Sequence, residues 1–183
     1  MMTGKIFAIL FSTLLSLAVF AEVPAKEVIP GQGVAILPEI SDRVFWNNCV
    51  DTRLRNQIIA LGDAALVSNP VLPGERLYLE YSRSGSRTRY EKAYEDYLSA
   101  INRLAMAASL SGDMKYVRKL ESLLPALCRQ PTWLLPAHDV GQKNWKGEVV
   151  TIDLVSSRVG WHMALLRQIF LTQFKPETVA MLN

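Results

Sequence analysis

His138 and Asp139 stand side by side in Pro131-Thr-Trp-Leu-Leu-Pro-Ala-His-Asp139, the most unusual stretch of the sequence. Histidine changes charge near neutral pH. One that is oriented by Asp139 or another nearby carboxylate can pass a proton to or from a polar substrate. The plainer alternative is a histidine that closes a helix end, with Trp133 filling the core beside it. Asn144 and Trp145 follow, with Gly147 just beyond. The aromatic faces of Trp133, Trp145 and Trp161 suit the apolar face of a pyranose ring, although most tryptophans fill core volume. Trp161 is in register with apolar neighbours and reads as core. Trp145 sits in an irregular run and reads as a surface platform. His162, next to Trp161, reads as structural or solvated.

Arg83, Arg87 and Arg89 form a second group, interleaved with Ser, Gly and Thr. Guanidinium forks suit carboxylate and sulfate. Glu80, Glu91 and Glu95 are close enough to pair with them, which makes a solvated loop the simpler reading. Tyr78, Tyr81, Tyr90 and Tyr94 cluster nearby, and the four-residue step from Tyr90 to Tyr94 marks them as packing residues of one helix face. No Ser/His/Asp nucleophile set, phosphate loop or metal box is visible. Cys49 and Cys128 lack His or Cys neighbours at zinc spacing. They read as separate, buried thiols among apolar residues, with a bridge formed in an oxidising compartment as the alternative. No metal or cofactor is therefore expected in this chain.

Elements must position these groups, and the composition allows them. Half of the 183 residues are hydrophobic and a fifth are charged, which excludes a disordered chain and suits one domain. A net charge of +3 without a basic stripe gives no argument for nucleic acid. Residues 1–21 read as a secretory signal peptide, with Lys5 before an apolar run and a cut before Glu22. That run is too short to span a bilayer, so no stable membrane anchor is expected after cleavage. The protein is then exported, to a periplasm or outside the cell. Residues 22–40 hold Pro24, Pro30, Gly31, Gly33 and Pro38 and read as an extended lead-in.

From residue 41 onward the pattern is helical. Leu54, Ile58, Leu61 and Ala65 make one stripe, stopped by Ser68-Asn69-Pro70. Residues 77–81 have the look of a short extended segment, and 82–86 of a loop. Tyr90, Tyr94, Tyr97, Ile101, Leu104, Ala105 and Ala108 define a long helix that Gly112 ends. Asp113 caps the next, which turns Met114, Val117, Leu120, Leu123, Leu124 and Leu127 inward until Pro125 kinks or ends it. So short a connection implies an antiparallel helical hairpin. Residues 130–146 are irregular. Leu154, Val155, Val159, Met163, Leu166, Ile169 and Phe170 mark another helix, capped by Asp153 or Thr151. Pro176 and Glu177 open a last one.

The order of these pieces resembles a known family. Phe45-Trp46, Leu77-Tyr78-Leu79-Glu80-Tyr81-Ser82-Arg83, Arg89-Tyr90-Glu91, Gly112-Asp113, Pro131-Thr-Trp133 with Pro136-Ala-His-Asp139, and Thr151-Ile-Asp-Leu154 together are similar to the N-terminal part of heparinase II/III-like polysaccharide lyases. The likeness runs from about Ile40 to Asn183, and its most specific piece is the Pro-Thr-Trp…Pro-Ala-His-Asp stretch followed by Ile-Asp-Leu. It implies an all-α fold of antiparallel helical hairpins, with residues 41–183 forming an incomplete α/α toroid. It implies an exported enzyme that cleaves uronate-containing glycans by β-elimination. A base takes the C5 proton, a polar or cationic group neutralises the carboxylate, and an acid protonates the leaving oxygen. Such enzymes are several times longer, and their main catalytic positions are expected in later helices. No catalytic residue carries over, and the chain alone is expected to be inactive. His138, Trp133, Asn144, Trp145 and Asp139 match a loop at the groove rim and are the substrate-contact candidates, with an acidic polysaccharide as the partner. The alternative is a non-catalytic exported helical module that binds acidic glycan or a partner protein. An inactive remnant stands behind both.

Overall fold

The computed structural model describes residues 36–183. The expected signal peptide and most of the expected lead-in lie outside the described residues. Among the described residues every regular element is a helix, and the fold there is all-α. The α-helices are α1 (Arg43–Asn48), α2 (Thr52–Val67), α3 (Glu75–Tyr78), α4 (Glu80–Ser84), α5 (Thr88–Ser111), α6 (Met114–Cys128), α7 (Leu154–Phe170) and α8 (Pro176–Met181). Two single 3-10 turns, Pro136–His138 and Val140–Gln142, lie between α6 and α7.

The longest helix, α5, is the centre of the core. Tyr90, Tyr94, Tyr97, Ile101, Leu104, Ala105 and Ala108 are all buried on it, as their spacing predicts. Gly112 stops it in the left-handed region at φ 73°, and its N–H donates to Ala108 O at 2.7 Å. A side chain is strained at that φ, which is why glycine stands there. Asp113 then accepts from Lys115 N at 2.8 Å and starts α6. Tyr97 Oη donates to Leu123 O at 2.6 Å, tying the middle of α5 to the later part of α6. Val117, Leu120, Leu123, Leu124 and Leu127 face inward, but Met114 is exposed at the first position. Tyr116 takes the inward place instead and reaches Asp63 Oδ1 at 2.7 Å. Pro125 does not end the helix at once. Its missing N–H falls in the last turn, and α6 closes three residues later, where Arg129 N donates to Pro125 O.

α2 crosses α5 closely. Asp51 accepts from Leu54 N at 2.8 Å and caps it. The buried positions are Ile58, Gly62 and Ala65, whereas Leu61 is 39% exposed. The contact stripe is thus rotated onto Gly62, because a Cβ there would overlap Ala107 Cβ of α5. Helix α1, which carries no clear periodic signal, is held from a distance. Arg43 donates to Ser109 O at 2.7 Å and Leu110 O at 2.9 Å, and Arg55 of α2 donates to Leu110 O and Trp46 O. Two cations therefore close the negative end of the α5 dipole.

Residues 77–81 are helical, not extended. α3 and α4 are single turns joined through Leu79, which keeps helical angles, and Gly85 caps α4 at φ 72°. Packing of Tyr78 against Tyr90, edge to face at 5.3 Å, decides this where a short apolar run is ambiguous. Ser82 and Arg83 accordingly lie on α4, and Arg89 on α5. Leu154 is exposed at the start of α7, so the buried stripe there begins at Val159. Pro176 opens α8, and the preceding Lys175 N donates to Glu121 Oε1 at 2.7 Å. Cys49 and Cys128 are free thiols. Cys49 is exposed rather than buried, since only Trp46 of α1 turns into the core.

Candidate functional site

The 131–153 loop is built around one carboxylate. Asp139 is buried, and both of its oxygens are engaged. Oδ1 accepts from Asn144 N at 2.9 Å and Asn144 Nδ2 at 3.0 Å. Oδ2 accepts from Tyr78 Oη at 2.9 Å and Trp145 N at 3.0 Å. Gly141 at φ 72° and Gln142 at φ 60° swing the chain so that these donors converge on Asp139. Burial alone would raise the Asp139 pKa. The donors of Asn144, Trp145 and Tyr78 overcome that and hold it below the ordinary carboxylate value. Asn144 extends the net, accepting from Thr151 N at 2.6 Å and donating to Thr151 Oγ1 at 3.2 Å.

His138 does not use its neighbour. Its Nδ1 lies 2.7 Å from Asp153 Oδ2, fifteen residues along the chain. The 3-10 turn sends the two adjacent side chains apart, Asp139 inward and His138 outward. Asp153 is itself pinned. Oδ1 accepts from Ser156 N at 2.7 Å, and Oδ2 also accepts from Leu135 N at 3.2 Å. Asp153 N donates back to Ser156 Oγ at 2.8 Å, which completes a capping box at the start of α7. Burial would raise the Asp153 pKa, but the hydrogen bonds from Ser156, His138 and Leu135 lower it below the ordinary value. The Asp153 side chain is 9% exposed and that of His138 50%, so a buried anion holds a ring that faces water. An acceptor at Nδ1 places the neutral tautomer's proton there. Nε2 is then free to accept a proton, or to donate once the ring is charged.

The aromatic candidates are placed differently. Trp133 is half-buried, and its Nε1 donates to Leu127 O at 2.9 Å, closing the end of α6. Trp145 is not an open platform. It is half-buried and stacks on Tyr78 at 4.3 Å with 29° between the planes. Burial first, and Asp139 second, push the Tyr78 pKa well above its ordinary value, so its hydroxyl stays a donor. Trp161 is only half-buried, because it flanks the Val159–Met163–Leu166 stripe instead of lying on it. His162 is half-buried as well. Burial, then Arg158, lower its pKa, with Glu95 opposing.

Tyr90 and Tyr94 are buried packing residues whose rings lie 5.6 Å apart. Arg89 pairs with Glu80 at 3.3 Å and Arg87 with Glu91 at 3.5 Å, whereas Glu95 pairs with Arg158 of α7 at 2.7 Å. Two residues that hold the site, Tyr78 and Asp153, were not candidates from sequence. Asp153 carries a cap signal and Tyr78 belongs to a cluster of four tyrosines, and both fall in segments of the family resemblance that assign them no role. Among the described residues no group of His, Cys, Asp and Glu could hold a metal ion, and no helix is long and apolar enough to cross a membrane. Comparison with known families and with curated proteins finds no match to this chain.

Proposed function

We propose that this chain is the opening helical part of an exported polysaccharide lyase for uronate-containing glycans, and that its own task is to hold the acidic chain, not to cleave it. In this reading α5 and α6 form an antiparallel hairpin of an incomplete α/α toroid, and the 131–153 loop is part of the groove rim. The observation that carries the reading is the His138–Asp153 pair, an exposed imidazole fixed by a buried carboxylate within the most specific stretch of the family resemblance. The charged ring presents an N–H that suits a sugar carboxylate. Lys143 and Lys146 are exposed on the same loop and add positive charge. β-Elimination needs a free base, a carboxylate neutraliser and an acid. Asp139, Asp153 and Tyr78 are each committed to internal hydrogen bonds, which leaves His138 alone of these groups with a free atom and supports contact over chemistry.

The same commitments also support the second reading, a non-catalytic exported module for acidic glycan, and both readings assign the same contact. Calorimetric titration with an oligogalacturonate hexamer tests it. The chain should bind the hexamer, His138→Ala should weaken binding about tenfold, as loss of a charge-assisted hydrogen bond does, and ultraviolet absorbance should show no unsaturated product. Unchanged affinity in His138→Ala would remove the assignment, and product above a heat-killed control would remove the claim that the chain only holds.

A further inference from the structure

The segment from Val149 to Asp153, between the Gly147 turn and α7, is neither helical nor paired as a strand. Its backbone N–H groups divide with a period of two. Val149 N donates to Lys143 O at 3.4 Å, Thr151 N to Asn144 Oδ1 at 2.6 Å and Asp153 N to Ser156 Oγ at 2.8 Å. The N–H groups between them, of Val150 and Ile152, have no partner among the described residues, and neither have the carbonyls of those two residues. An extended segment shows this alternation when one edge is bonded to its own loop and the other faces water.

The side chains set this free edge apart from an ordinary loop. Val150 is 93% exposed, Ile152 74% and Leu154 89%. Val149, Val150, Thr151 and Ile152 are all β-branched, the residue types that strands favour. Proteins commonly blunt an open edge with a charge or a proline, and residues 149–152 hold neither. The edge is also held in place, Thr151 by Asn144 and Asp153 by its capping box. A partner therefore meets a backbone that is already ordered, which lowers the entropy lost on binding.

We propose that two copies of this chain pair along this edge, strand to strand and antiparallel, about a two-fold axis at Thr151. Another extended backbone offers donors and acceptors at the spacing of Val150 and Ile152. The segment is its own complement. With Thr151 opposite Thr151, Val150 of each copy faces Ile152 of the other in a hydrogen-bonded pair. The N–H and C=O groups of both residues are then satisfied in both copies, and branched apolar side chains meet across the strands. The same register fixes the flanks. Glu148 is exposed and falls opposite Leu154, the first residue of the other copy's α7. A carboxylate is favoured at that positive end of the helix dipole, beside first-turn N–H groups. A strand from an unrelated protein would meet the backbone edge but has no reason to carry this acid.

Sedimentation velocity of the full chain tests the pairing, in reducing buffer so that the exposed Cys49 does not link copies. The interface is small, so a monomer–dimer equilibrium should appear with a Kd on the order of 100 µM. Where most of the chain is paired, hydrogen exchange should slow about fivefold at Val150 and Ile152. It should stay unchanged at Thr151, whose N–H is already bonded. Val150→Lys puts a charge on the edge, and Ile152→Pro removes one outward N–H. Each should weaken dimerisation by about tenfold with the helical signal intact, whereas Ile152→Val should dimerise as the parent does. A chain that stays monomeric to about ten times that Kd would overturn the proposal. So would a dimer that Val150→Lys leaves unchanged, or one in which Val150 and Ile152 still exchange freely. A monomer that captures an unrelated apolar strand peptide at this edge would also overturn it, and would give the edge to another protein.

Discussion

The buried side chains of α5 and α6 include Tyr97, Ile101, Leu104, Val117, Leu120 and Leu124, and the buried polar ones of the 131–153 loop are Asp139 and Asn144, beside the apolar Leu134 and Pro136. The first region is held by apolar area, which is non-directional and tolerates small shifts. The second is held by two carboxylates with seven hydrogen bonds between them, which are directional and fail when one group is lost. A rigid scaffold thus carries a loop whose shape depends on ionised Asp139 and Asp153. That division suits a site: the helices persist while the loop fixes where His138 points.

The comparison breaks most visibly at Leu124, which is fully buried on α6. Leu124→Ala should cost about 3 kcal/mol through lost transfer energy and the cavity left behind. The loss should be global, seen as a lower denaturation midpoint by far-ultraviolet circular dichroism. Retained stability would mean that α6 does not carry the core. Asp139→Ala should cost somewhat less, about 2 kcal/mol, by stranding the donors of Tyr78, Asn144 and Trp145. Its signature should be local: hydrogen exchange quickens over 131–153 while α5 amides stay protected. Uniform quickening of both regions would erase the distinction.

Acid sharpens the same contrast with a smaller effect, because a protonated carboxyl keeps part of its hydrogen bonding. Asp139 and Asp153 have folded pKa values below their ordinary one of 3.8. Their contribution to stability is therefore full above that value and is lost as pH falls through it towards the lower folded values. As pH falls from about 4.5 to about 2, the fluorescence of Trp145 and exchange over 131–153 should change before the helical signal does. Simultaneous loss of both would contradict a separately held loop.

Legibility in the sequence follows the same divide. The 88–111 helix, its Gly112 stop and the Asp113 start are local matters of period and backbone angle, and all three can be read from residues. So can a cap at Asp153 or Thr151, of which the structure uses Asp153. The partner of His138 could not be read, because proximity in sequence favoured Asp139, and a 3-10 turn separates the two while a capping box fifteen residues on supplies the acceptor. α1 was missed because Arg43 finds its acceptors on α5, more than sixty residues away. Tyr78 became helical and central through contacts with Tyr90, Trp145 and Asp139, none of them local. Leu61 and Gly62 exchanged places in the contact stripe, because a close helix crossing prefers the absent side chain to the larger apolar one.

The most direct measurement of the account uses the two histidines of this chain as paired reporters. Their imidazole ring signals would be followed by NMR during a titration with oligogalacturonate hexamer. His138 sits on the exposed rim and His162 half-buried on α7, so the account predicts a saturable shift of the His138 ring that Asp153→Asn diminishes, with the His162 ring still. A shift confined to His162, or no shift of His138 while the glycan binds, would contradict it.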